Sequence, residues 1–134
     1  MNIEAKCACG DVRFKSTSRP VMQLCCHCLD CQDSLKKEYA TIAFFQVDST
    51  KVSGIVEETF YRADSGGRTV RQLCAKCRTV MFDKSESFPT LIGVMTDQMR
   101  APFIPTPSCH VWVDSKSANV SIPADIRQYA RGIE

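Results

Sequence analysis

Histidine is nearly absent from this sequence: His27 and His110 are the only two among 134 residues. Neither can be set beside a reacting atom by sequence, so no general base is legible. Long apolar runs are lacking too. No stretch reaches the ~18 residues that would suggest a membrane span. The start, Met1-Asn2-Ile3-Glu4-Ala5-Lys6, lacks the basic-then-apolar pattern of a signal peptide. A soluble protein of the cytoplasm is therefore expected. No single sign of charge dominates, for the formal net charge is +2 and Lys36-Lys37 is the only adjacent basic pair. That balance argues for neither nucleic acid nor a membrane surface as partner. Internal repeats, low-complexity tracts and linkers are also missing. Residues 1–134 read as one domain, whose 44% hydrophobic content can supply a core.

Cysteine is what the chain has in excess. Nine occur, at positions 7, 9, 25, 26, 28, 31, 74, 77 and 109. A disulfide scaffold favours an even count, a short chain and a secreted context. Closely spaced cysteines in a cytosolic chain point instead to metal.

The rest of the pattern is mostly strand. Alternation or apolar enrichment predicts strands over 11–15, 39–47, 55–62, 69–73, 80–82, 91–95 and 110–113. Ser65-Gly66-Gly67 marks a turn, and Pro102, Pro105 and Pro107 mark an extended loop. Only the tail reads as helix, with Pro123 in a first turn, Ile126, Tyr129 and Ala130 on one face, and Gly132 near the end. The expectation is a mainly β domain with a short C-terminal helix, its sheets pinned somewhere.

Side chains two apart on an extended segment share a face. Cys7 and Cys9 can therefore reach one ion, and Cys74-Ala-Lys-Cys77 is a knuckle-type pair. Together they offer a closed four-thiolate site clamping the start of the chain to its middle. In Cys25-Cys-His-Cys-Leu-Asp-Cys31, Cys26 and Cys28 share a face and Cys31 completes a second knuckle. The opposite parity leaves Cys25 out and turns His27 away, toward a supporting or packing role. Four thiolates saturate zinc, whereas three leave a position for water or substrate. Spacing alone leaves a second pairing open, a ribbon of Cys28 and Cys31 with Cys74 and Cys77 that strands Cys7 and Cys9.

Cys7-Ala-Cys-Gly-Asp-Val-Arg-Phe14, Cys26-His-Cys-Leu-Asp-Cys-Gln32, Leu73-Cys-Ala-Lys-Cys77 and Pro107-Ser-Cys-His-Val-Trp-Val113 follow in that order. The pattern resembles the glutathione-dependent formaldehyde-activating enzyme family, which also includes centromere protein V. The resemblance implies a β-tent of antiparallel sheets pinned by zinc. It favours Cys7, Cys9, Cys74 and Cys77 as ligands of a structural zinc, and Cys26, Cys28 and Cys31 as ligands of a catalytic one, giving two zinc ions per chain. It also implies a carbon–sulfur lyase that joins formaldehyde to glutathione or a similar small thiol. Two departures stand out. Arg78 occupies the position after the second knuckle cysteine where the family has glycine, which predicts a different local backbone. A tryptophan of the late segment is missing around Asn119 and Val120.

Arg62, Arg68 and Arg71 lie between the metal motifs and could meet the carboxylates of glutathione, but solvated surface charge is the expected role. Lys6, Lys76 and Arg78 flank the proposed structural site and would offset its negative charge. Cys109 and Trp112 read as core. Two other classes of function stay open. One is a non-enzymatic zinc module binding protein or nucleic acid; the other is a thiol redox protein using Cys28 and Cys31.

Overall fold

The alternation of buried and exposed residues shows first in the strand that follows the first cysteine pair, where Phe14 and Ser16 point inward and Arg13 and Lys15 outward. A computed structural model describes residues 2–62 and 67–132. Its strands are β1 (Ile3–Lys6), β2 (Arg13–Ser16), β3 (Met22–Cys26), β4 (Ala40–Gln46), β5 (Thr50–Ser53), β6 (Val56–Arg62), β7 (Arg68–Cys74), β8 (Val80–Ser85), β9 (Leu91–Met95), β10 (Cys109–Val111) and β11 (Arg127–Gln128), with a helix α1 (Leu29–Leu35). The chain is thus mainly β, as its pattern predicts. Most of the predicted turn at 65–67 lies outside the described residues.

The strands form a three-stranded sheet, β1-β2-β5, and an eight-stranded one in the order β11-β10-β3-β4-β9-β8-β7-β6. Pairing is antiparallel except that β10 runs parallel to β3 and to β11, so the larger sheet is mixed. It buries both faces, which is why β4 reads as a nearly continuous apolar run. On one face Ala43 and Phe45 meet Phe14 of the small sheet together with Phe82 and Val94. The Phe14 ring lies 5.0 Å from that of Phe45 and 5.9 Å from that of Phe82. On the other face Ala40 and Ile42 pack with Leu24, Met95, Val111 and Cys31 of α1.

The tail corrects the sequence reading. It is not a helix. Arg127 and Gln128 pair with Cys109 and His110, and the Tyr129 amide donates to the His110 carbonyl at 2.9 Å. The amides of Trp112, Val113 and Asp114 donate in turn to carbonyls of Arg131, Tyr129 and Ala130. A short helix is marginal by itself, and the open edge of β10 offers backbone partners that it must otherwise leave unmet. Tyr129 then packs on the second core, so its helical spacing was a coincidence of burial. The α-helix lies instead at α1, in the cysteine-rich segment. Its N-terminus is capped by the Cys28 sulfur, which accepts from the Cys31 amide, and Lys36 ends it in a left-handed conformation at φ 54°. Among the described residues no helix is long and apolar enough to cross a membrane.

Candidate metal centres

Two groups of cysteines converge, one toward each core of the eight-stranded sheet. Cys7, Cys9, Cys74 and Cys77 bring their sulfurs within 4.8 Å of one another, and so do Cys26, Cys28 and Cys31. Among the described residues the ribbon combination does not form.

The four-sulfur group is assembled by two tight loops. After β1 the chain turns at Gly10, at φ 81°, and the Gly10 amide donates to the Cys7 carbonyl. After β7 it turns again, and the Arg78 amide donates to the Cys74 carbonyl at 3.0 Å. Gly54, between β5 and β6, lets that turn lie against the first of these loops, since a Cβ there would stand 2.4 Å from the Asp11 carbonyl oxygen. The sulfurs of Cys7 and Cys9 are 3.6 Å apart and those of Cys9 and Cys74 are 3.7 Å apart. An ion bound by four thiolates at ~2.3 Å sets its sulfurs ~3.8 Å apart, so these two spacings are consistent with zinc. Backbone amides face the sulfurs: Val12 donates to Cys7, and Lys76 and Cys77 donate to Cys74. A hydrogen bond with the Thr79 hydroxyl is the largest influence drawing the Cys77 thiol down to about 5.

The three-sulfur group sits where β3 runs into α1. Cys26 ends the strand, Cys28 caps the helix and Cys31 lies in its first turn. Cys26 and Cys31 are buried, whereas Cys28 is half-buried. Cys28 is drawn down to about 3 by hydrogen bonds from the Cys26 and Cys31 thiols, against the effect of burial. The same contacts push Cys26 up to about 12 and raise Cys31 as well. A divalent ion bound here would displace protons from the sulfurs.

The neighbours of this group separate by parity. Cys25 is buried away from it, with its sulfur 3.6 Å from the Thr41 hydroxyl. His27 also turns away, and its Nε2 lies 2.8 Å from His110 Nδ1, beneath the Tyr39 ring. Gln32 clips the segment by donating from Nε2 to the carbonyls of His27 and Ser115, at 2.8 Å each.

Arg71 was the residue that sequence reading placed wrongly. It is 1% exposed, not a solvated charge. Its Nη2 donates to Cys31 Sγ at 2.9 Å, and its Nη1 to the Ser34 hydroxyl at 2.8 Å and to the carbonyl and carboxylate of Asp30. Its Nε lies 3.4 Å from Asp83 Oδ1. Asp83 is the direct cross-strand partner of Arg71 between β7 and β8. Burial pushes the Asp83 carboxyl up to about 6, although Arg71 draws it down. The available signal was the odd parity that Arg71 shares with buried Thr69, together with an aspartate directly after the apolar run Val80-Met-Phe82. Arg68 does remain at the surface, over the Phe60 ring at 4.0 Å. The Arg62 side chain lies outside the described residues.

In sequence, residues 2–115 match the family described as glutathione-dependent formaldehyde-activating enzyme. The chain belongs to that family. A solved Rhodobacter sphaeroides protein has a similar fold, with a TM-score of 0.55 and 19% identity over 76% of this chain and 91% of that one. At such identity the likeness speaks for the fold alone. No curated protein matches the chain in sequence.

Within this family the departure at Arg78 does not alter the backbone, contrary to expectation. Arg78 adopts φ 66°, the left-handed conformation that glycine would take. Its guanidinium pairs with Glu57, while Lys76 reaches Asp11 at 3.3 Å. Both cations near the four-sulfur group are therefore shared with carboxylates, and Lys6 stays exposed. Cys109 is buried as expected, and Trp112 packs half-buried against the second core.

Proposed function

We propose that this chain is a carbon–sulfur lyase that joins formaldehyde, or a related aldehyde, to glutathione or a similar small thiol. In this reading Cys26, Cys28 and Cys31 hold a catalytic zinc, and Cys7, Cys9, Cys74 and Cys77 hold a structural one. The whole of residues 1–134 would act as one unit. The observation that carries it is the number of sulfurs that converge, four in one group and three in the other. Three protein ligands and an open position are the usual arrangement for zinc that handles substrate. A zinc ion there would favour the thiolate of a bound substrate thiol, less strongly than at a three-histidine site because the three cysteines leave the centre negative.

The chemistry balances without a further reactant. The substrate sulfur attacks the aldehyde carbon, a carbon–sulfur bond forms, and the carbonyl π electrons move to oxygen, which takes up the proton given by the thiol. The reverse reaction cleaves the same bond. The chain's own contribution is largely to orient the reactants. Helix α1 fixes Cys28 and Cys31, and Gln32 ties the loop between β3 and α1 to the late segment. His27 and His110 are committed to each other, so the proton is expected to pass through solvent or the substrate itself. Free thiolates need a reducing compartment, which fits the cytoplasm.

Exchange spectroscopy by NMR tests this directly. With zinc-loaded protein, interconversion of formaldehyde plus glutathione and S-hydroxymethylglutathione should run faster than in buffer. No acceleration would remove glutathione as the thiol.

A further inference from the structure

Arginine is seldom fully buried, because its charge must be compensated by every contact that replaces water. Arg71 is buried nonetheless, in a sheet interior where an aliphatic side chain would pack with less cost. Its guanidinium is a planar fork, and each arm meets a different element. Nε faces Asp83 on β8; Nη1 faces Asp30 and Ser34 on α1; Nη2 faces the Cys31 sulfur. Asp30 and Asp83 would suffice to compensate the charge. They do not explain why one arm is held against a sulfur of the three-cysteine group.

We propose that Arg71 is the positioning residue of that group, and that its hydrogen bond to Cys31 sets how strongly this sulfur donates to a bound metal. The inference rests on the reading that Cys26, Cys28 and Cys31 hold an ion. A charge-assisted hydrogen bond draws electron density from a thiolate and holds its sulfur in one place. With three anionic donors the site is rich in negative charge, and a fourth, incoming thiolate adds more. A cation locked against one donor lessens that build-up and leaves the substrate sulfur a more favourable position. Asp83 and Asp30 orient the fork, so β8 and α1 both act on the sulfur through Arg71. Neither of these carboxylates touches it.

Cobalt(II) in place of zinc reports the donor strength of each thiolate through its sulfur-to-metal absorption. In Arg71→Met, loss of the hydrogen bond should move part of this band to longer wavelength. The more weakly held metal equivalent should also lose roughly tenfold or more in affinity against a chelator. The band shift should be absent when the same change is made in a Cys31→Ser background. Ser34→Ala, which loosens Nη1 but leaves Nη2 on the sulfur, should leave the band in place. If Arg71→Met does not fold, the wild type loaded with cadmium-113 carries the test. Arg71 Nη2 protons should then exchange slowly and correlate with the cadmium through Cys31, and absence of that correlation would overturn the proposal. An unchanged cobalt band in a folded variant binding both equivalents would overturn the role of Arg71 alone. A wild type that binds metal at the four-cysteine group only would overturn the catalytic-zinc reading as well.

Discussion

Arg71 and Cys74 stand on the same strand, β7, yet each reaches a different sulfur group: Arg71 donates to Cys31, and Cys74 joins Cys7, Cys9 and Cys77. The pairing of β7 with β8 shifts register between Gln72 and Leu73, between the two residues. One strand thus carries a ligand of the proposed structural site on one side and, on the other, the arginine that meets the proposed open site. Damage at the four-cysteine group should therefore reach the three-cysteine group through β7.

The left-handed Arg78 gives a test of the knuckle. An L-residue in that conformation carries a penalty of about 1–2 kcal/mol that glycine avoids. Against this, glycine loses more freedom on folding, and the Arg78–Glu57 pair is more than half exposed on both sides, worth about 0–1 kcal/mol. Arg78→Gly should be neutral or stabilising by up to about 1 kcal/mol in urea unfolding of the zinc-loaded protein. Arg78→Val should lose about 1 kcal/mol or more, since a β-branched residue fits that conformation worst. Equal stability of the two variants would contradict the role given to the turn.

His27 sets a pH dependence. Burial, then the neighbouring His110 and Lys116, hold its ring down at about 4, against an ordinary value of 6.5. An unfolded chain takes up this proton as pH falls below 6.5, and the folded chain resists until about 4. The stability contributed is therefore complete above 6.5 and is lost as pH falls through 4. In NMR, the His27 ring should remain neutral at pH ~5.5, where a free histidine is mostly charged. A titration midpoint near the free value would show that the His27–His110 pair is open to water.

Much of the site was legible because strand geometry is strict. Alternation separated Cys25 from Cys26, and the separation appears as a contact with Thr41 instead of with the other sulfurs. Loop conformation was less legible. Arg78 takes the turn that glycine would take because the amide–carbonyl bond to Cys74 fixes the backbone whatever side chain follows. Burial of Arg71 depends on Asp83 from the next strand and on Asp30 and Ser34 from α1, partners that no local pattern brings together. Helix α1 itself was hidden because its cap is a cysteine sulfur, a residue type read for metal and not for helix starts. The tail failed for the opposite reason, in that a helical spacing was local but its hydrogen-bond partners on β10 were not.

The central claim is that two sulfur groups hold metal in different roles, and metal content of purified variants tests it most directly. Wild-type protein should carry about two zinc ions per chain. Cys74→Ser should unfold or be strongly destabilised, because metal binding at a closed four-thiolate site is itself folding energy. Cys28→Ser should keep its fold and lose about one zinc ion. If the two variants behave alike, or the wild type never binds more than about one zinc ion, the division into a structural and an open site is wrong.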